Sequence, residues 1–200
     1  MFRNHLFYFA TILLALLFVG HSEAQTEKYP WDLTGFGGAA SLCDELGCFG
    51  QTGLAFGGSF GRQFTERWYF ELEGTYVSAT ESLAPRFDLR TGQIFVPELK
   101  RQRVWAGGNF NRRLLQLGKA SHLFISIGFV AAYERQTEEV PEGFLHAPKR
   151  DIGLKGGASG GAGAVFWFND NWALRPEVKF YAVPSPLSGL RYSAGITHRF

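Results

Sequence analysis

Apolar and polar side chains alternate with a period of two through most of the chain beyond about residue 30, in eight segments separated by turn residues. The first segment runs near Leu33 to Leu42. The second covers Thr52 to Gln63, with Leu54, Phe56 and Phe60 on one face and Gly57, Ser59 and Gly61 on the other. After the turn Phe64-Thr65-Glu66-Arg67, the third sets Trp68, Phe70, Leu72 and Tyr76 against Glu71, Glu73 and Thr75. The fourth, Lys100 to Arg113, opposes Val104, Ala106, Gly108 and Phe110 to Arg101, Arg103, Asn109, Asn111 and Arg113. The fifth, His122 to Arg135, places Leu123, Ile125, Ile127, Phe129, Ala131 and Tyr133 together. The sixth, Ile152 to Phe168, is rich in Gly and Ala. The seventh, Trp172 to Val183, sets Trp172, Leu174, Val178 and Phe180 against Arg175, Glu177, Lys179 and Tyr181, although Pro176 cannot donate to a ladder. The last, Tyr192 to Phe200, has Tyr192, Ala194, Ile196 and Phe200 on one face and Ser193, Gly195, Thr197 and Arg199 on the other.

What precedes this pattern is different in kind. Arg3, an apolar stretch from Leu6 to Val19, and Ser22-Glu23-Ala24 as a small-x-small site predict a cleaved secretory signal over residues 1–24. The mature chain is then expected to be one domain, residues 25–200. No later stretch approaches the roughly 18 continuous apolar residues of a helical span, so residence in a membrane requires strands. Twenty-five Gly and 20 Phe suit sheets that are apolar on one side. The formal net charge of +2 is small and unclustered, which gives no support to nucleic-acid binding. Cys43 and Cys48 are the two cysteines, and in an exported chain the isolated pair is expected to form a small disulfide loop worth about 2 kcal/mol. A metal site would require further ligands at suitable spacing, and none lies nearby.

The connections alternate in length. Short ones lie near Thr65, Gly118 and Asp170, and longer or decorated ones near Cys43, Arg90 and Glu142; the stretch from Thr80 to Leu99 reads as a long loop with Pro85 and Pro97. Such asymmetry matches a barrel with periplasmic turns and outward loops. Phe64-x-x-x-Trp68 and Phe168-x-x-x-Trp172 also repeat one another across two of the short turns, where a girdle of interfacial aromatics is expected. Through these two turn-and-strand units and the terminal Phe200, the mature chain resembles the small eight-stranded outer-membrane barrels, the group that includes the OmpA membrane domain. The resemblance implies an all-β, eight-stranded antiparallel up-and-down transmembrane barrel in the outer membrane of a Gram-negative-type bacterium. It also implies that Tyr192, Ile196 and Phe200 form a terminal signal for the outer-membrane assembly machinery.

The alternation directs Glu71, Glu73, Arg101, Arg103, Arg113, Lys155, Arg175, Glu177, Lys179, Arg191 and Arg199 inward. An eight-stranded interior is only wide enough for its side chains, so these charges are expected to pair. The candidate network is Glu71, Glu73 and Glu177 with Arg113, Arg175 and Arg199, plugging the lumen. A serine-based lipid hydrolase would need a positioned histidine, and His122, His146 and His198 lack the His-x-Ser arrangement that resembles barrel deacylases. His122 is expected to be interfacial. The expected function is therefore structural or surface-interacting, without enzyme activity or cofactor, in a monomer. Its partners would be outer-membrane lipids and an extracellular ligand or receptor at the loops, which include the acidic Glu138, Glu139 and Glu142. The alternatives are a narrow channel or small-ligand carrier, and after that a lipid A-modifying enzyme.

Overall fold

In the computed structural model, residues 30–44, 47–88, 92–117, 121–139, 149–184 and 186–200 are described, excluding the side chains of 44, 47–50 and 88. The expected signal peptide, His146 and the side chain of Cys48 lie outside the described residues. Eight strands follow one another: β1 (Trp31–Asp44), β2 (Gly47–Gln63), β3 (Trp68–Ser82), β6 (Glu98–Leu117), β7 (Ser121–Glu139), β8 (Arg150–Trp167), β9 (Trp172–Ala182) and β10 (Gly189–Arg199). Two short strands, β4 (Arg86–Asp88) and β5 (Gln93–Phe95), form a separate hairpin between β3 and β6. Each barrel strand pairs antiparallel with its neighbours in the order β1-β10-β9-β8-β7-β6-β3-β2, and the barrel closes between β1 and β10. The seam runs from Asp32 opposite Arg199 to Leu42 opposite Gly189, extended by hydrogen bonds from Trp31 N to Phe200 O and from Phe200 N to Trp31 O. Closure satisfies backbone groups that a bilayer could not hydrate.

The two echoed turns have a common cause. Thr65 Oγ1 accepts from Trp68 N at 3.0 Å and Arg67 N at 3.3 Å, while Asn169 Oδ1 accepts from Trp172 N and Asn171 N, each at 2.9 Å. In both, the amide of the preceding Phe donates to the carbonyl of the following Trp. A short polar side chain thus closes each turn and launches the next strand on an aromatic residue.

Two expectations are revised. The connection at Cys43 is not a long loop, because β1 continues to Asp44 and β2 starts at Gly47. The stretch Thr80 to Leu99 is not wholly irregular, since β3 and β6 extend into it and β4 pairs with β5, Phe87 opposite Ile94, around Gly92 at a φ of 71°. That left-handed φ suits Gly alone at low cost. Pro176 does lie in a strand, opposite Ala194, but the neighbouring ladder between β8 and β9 skips Ala164 and Val165 beside it. The missing N–H of proline explains the gap.

Outside, the barrel carries an apolar belt that includes Leu54, Phe56, Ile127, Phe129, Val178 and Phe180, all exposed. Trp68, Phe168, Trp172 and Phe200 ring its turn-side end. Inside, the extracellular half is filled by an apolar cluster in which Leu42, Val77, Trp105, Val130, Tyr181 and Leu187 are buried. Charged and polar side chains fill the rest. Among the described residues no helix is long and apolar enough to cross a membrane.

Candidate functional site: the charged lumen

β3 and β9 stand diametrically opposite in the ring, so inward side chains on the two strands meet across the lumen. Glu71 and Glu73 project from β3, and Arg175, Glu177 and Lys179 from β9 at the same alternating phase, all buried. Arg175 donates both terminal nitrogens to Glu71, Nη1 to Oε1 at 2.9 Å and Nη2 to Oε2 at 2.7 Å. This bidentate fork is the strongest geometry an Arg and a carboxylate can adopt. Asn111 Nδ2 donates to the same Oε2 at 3.0 Å. Arg191 of β10 donates from Nη1 to Glu73 Oε1 and to Thr75 Oγ1, both at 2.7 Å, and from Nη2 to Glu177 Oε2 at 3.2 Å. Lys179 bridges Glu73 and Glu177, and the Tyr181 hydroxyl donates to Glu73.

Three carboxylates therefore face three cations in a knot that balances in charge. Aromatic faces fill the gaps: the Arg175 guanidinium lies 4.8 Å from the centre of the Phe124 ring, and that of Arg191 lies 4.1 Å from Phe36. These contacts replace part of the hydration that burial removes.

Above the knot Trp105 stacks on Tyr181 with centroids 4.2 Å apart, and a Cβ at Gly189 would come within 2.6 Å of the Trp105 ring. Only Gly permits that approach. Trp105 Nε1 donates to Leu187 O at 3.2 Å, and Arg103 donates to Ser188 O and Pro186 O, each at 2.6 Å. Arg103 is itself held by Glu134, whose Oε2 accepts from Arg103 Nε at 2.6 Å, and both side chains are fully buried. The connection between β9 and β10 is thereby strapped across the extracellular mouth.

Of the six residues expected to form one network, Glu71, Glu73, Arg175 and Glu177 come together. The other two do not join them. Arg199 pairs with Asp32 at 3.1 Å near the periplasmic end, and Arg113 donates to Gln63 Oε1 and Glu66 O without an ion pair among the described residues. Their places are taken by Lys179 and Arg191, which share the inward phase but lie deeper than a grouping by nearness to the periplasmic turns suggests. Asp32, Asn111 and Tyr181 completed the arrangement unforeseen; the inward phase of β9 already pointed Tyr181 at the knot. His122 is buried in the lumen rather than interfacial, and His198 lies tilted against Trp172 at 4.4 Å and stacks on Phe200 at 5.9 Å. Tyr192, Ile196 and Phe200 share the exposed outer face of the last strand. Cys43 is buried.

At the extracellular rim, Arg135 Nε donates to Asp151 Oδ1 at 3.1 Å. That hydrogen bond, with a second involving Tyr133, lowers the Asp151 pKa below the ordinary carboxylate value. Among the described residues no cluster of His, Cys, Asp and Glu could hold a metal ion.

The chain is a closed eight-stranded ring, apolar outside and charged inside. The fold is that of the small outer-membrane β-barrels. The chain is similar to the attachment invasion locus protein Ail of Yersinia pestis, crystallised with the heparin analogue sucrose octasulfate, at 12% identity and a TM-score of 0.55, covering 88% of this chain and 100% of that one. It is similar to Neisserial surface protein A at 12% identity and a TM-score of 0.57, covering 86% and 97%. A major outer membrane protein of Thermus thermophilus matches at 15% identity and a TM-score of 0.54, covering 85% and 99%. No protein-family model matches the sequence, and no curated relative does. Like these barrels, the chain folds as a closed eight-stranded antiparallel ring.

Proposed function

We propose that this protein is a plugged, non-conducting barrel that acts through its exterior. The carrying observation is the balanced knot of Glu71, Glu73 and Glu177 with Arg175, Lys179 and Arg191, beneath the Trp105 layer and the strapped mouth. Water and small ions would have to break buried ion pairs and then an apolar layer to pass. Planar-bilayer recording of the wild type and of Glu73→Ala tests this, since a wild-type barrel with steady open conductance would overturn it in favour of a narrow channel.

Surface interaction is supported by the hairpin of β4 and β5, which exposes Phe87, Ile94 and the following Val96 beyond the belt. Arg86 of that hairpin pairs with Glu138 at 2.6 Å, fixing it to the tall edge of β7. An extracellular ligand or receptor is assigned to this surface, and exchange of Thr137 to Glu142 for a neutral segment, with loss of binding to cells, checks it. Removal of the signal over residues 1–24, a Cys43–Cys48 bridge, monomeric state and delivery through a terminal Tyr192, Ile196 and Phe200 signal complete the proposal. No catalytic role is assigned, as His122 is confined to the lumen and His198 to an aromatic stack. Lipid A mass profiles with and without the protein check that assignment.

A further inference from the structure

The periplasmic end of the lumen opens into a cavity of about 680 Å³ whose lining includes Arg67, Arg112, Arg113 and Arg199. Against these four guanidiniums stands a single lining carboxylate, Glu66. Arg199 is neutralised by Asp32 and lies 3.8 Å from the centre of the Trp167 ring, which fixes its plane. Arg113 is different. Two of its nitrogens are held by Gln63 Oε1 and Glu66 O, its Nε is buried without a hydrogen-bond partner, and no carboxylate pairs with it among the described residues. Arg112 rests on the outer face of Trp68, 5.5 Å from its centre. The register shift between Arg113 and Leu115 brings exposed Leu114 and Leu115 onto the same lining.

We infer that this vestibule binds a phosphate-class oxyanion, as the phosphate of a lipid head group or as a soluble phosphate. A guanidinium fork matches the oxygens of phosphate, and several guanidiniums on one lining suit its multiple charge better than a lone carboxylate. The bound anion would give Arg113 the negative partner that it lacks among the described residues. The Leu114 and Leu115 wall, beside a cation on the aromatic girdle, is what a head group with an adjoining acyl chain would meet. The site is separate from the plug, so failure of either leaves the other standing.

The test uses the folded chain in maltoside micelles, which carry no phosphate. The Nε–H resonances of Arg113 and Arg199 are followed by NMR while pyrophosphate is added, and separately while phosphatidylglycerol is added to the micelles, with sodium chloride as the control. A saturable shift with pyrophosphate alone assigns a soluble ligand, and one with phosphatidylglycerol alone assigns a lipid. Arg67→Gln, on an exposed turn, is expected to weaken the active arm about tenfold, the loss of one charge-assisted contact. The inference is overturned by no saturable shift in either arm, by a shift that chloride reproduces, or by an affinity unchanged in Arg67→Gln.

Discussion

Glu73→Ala is the most informative single perturbation of the lumen. The carboxylate accepts from Lys179, Arg191, Thr75 and Tyr181. Its removal leaves Glu71 committed to the Arg175 fork, so Glu177 alone must serve Lys179 and Arg191. The knot then carries one excess buried cation. Breaking a buried pair from one side costs about 3 to 5 kcal/mol, and a close pair at an intermediate effective dielectric gives a similar figure of about 4 kcal/mol. We therefore expect urea unfolding from lipid vesicles to lose about 3 to 5 kcal/mol. Restoring neutrality with Lys179→Ala in the same chain should recover part of this, because the two sites are coupled.

Conductance supplies the second axis. The Trp105 layer persists in Glu73→Ala, so openings in a planar bilayer should be small and anion-selective, and larger when Trp105→Ala is added. An unaltered unfolding free energy together with no new conductance would refute the plug. Additive losses in the Glu73→Ala, Lys179→Ala double variant would refute the pairing that underlies it.

Arg103→Met should free the strap, with hydrogen exchange accelerating at the Leu187 and Cys43 amides while β3 amides hold; the buried Glu134 left behind should cost about 3 kcal/mol in unfolding. Ile127→Arg, near the middle of the lipid-facing side of β7, should cost about 2 to 4 kcal/mol in vesicle unfolding, and no loss would place that face away from lipid. The Asp151 carboxylate is stabilised by Arg135, so its pair contributes above the ordinary aspartate range and is lost as pH falls through the lowered folded value. Carboxyl NMR should place the Asp151 midpoint below the ordinary one in the wild type and move it part of the way back in Arg135→Gln, where the Tyr133 hydrogen bond remains. Alkylation of the unfolded chain before and after reduction should show Cys43 and Cys48 reactive only after reduction, with removal of both costing about 2 kcal/mol at most.

The strands that could be read from the sequence are those whose two faces differ in chemistry. In β3, Trp68, Phe70 and Leu72 interleave with Glu71 and Glu73, and a one-residue slip would put carboxylates into lipid. In β8 both faces are small, with Gly and Ala and the single Ser159 from Gly156 to Ala164, so its outward side emerges only from the register against Ile127 and Phe180. The hairpin of β4 and β5 is too short to show a period. The lumen charges were legible as a set, since inward phase is local. Their partners were not, because contacts such as Arg175 with Glu71 and Arg191 with Glu73 span more than a hundred residues and depend on the stagger of every intervening strand. Grouping charges by distance from the periplasmic turns put Arg113 and Arg199 in the knot, whereas tilt carries the level of Glu73 to Lys179 and Arg191.

The same stagger explains how the connection between β9 and β10 comes to be held by Arg103. β6 begins at Glu98, well before the Trp105 that meets Gly189, so one wall rises beyond the level at which β9 and β10 end. On that taller wall, Arg103 and Glu134 point inward over a gap that the opposite strands leave uncovered. An arginine there has neither lipid nor bulk water to satisfy it. The carbonyls of Pro186 and Ser188 supply acceptors, and Glu134 supplies the counter-charge. Leu187 between those carbonyls is turned down into the apolar cluster. Uneven strand height and a buried Arg thus specify one another: a shorter β6 would expose Arg103 to solvent, and a β9 and β10 pair as tall as β6 would leave no mouth for the strap to cross.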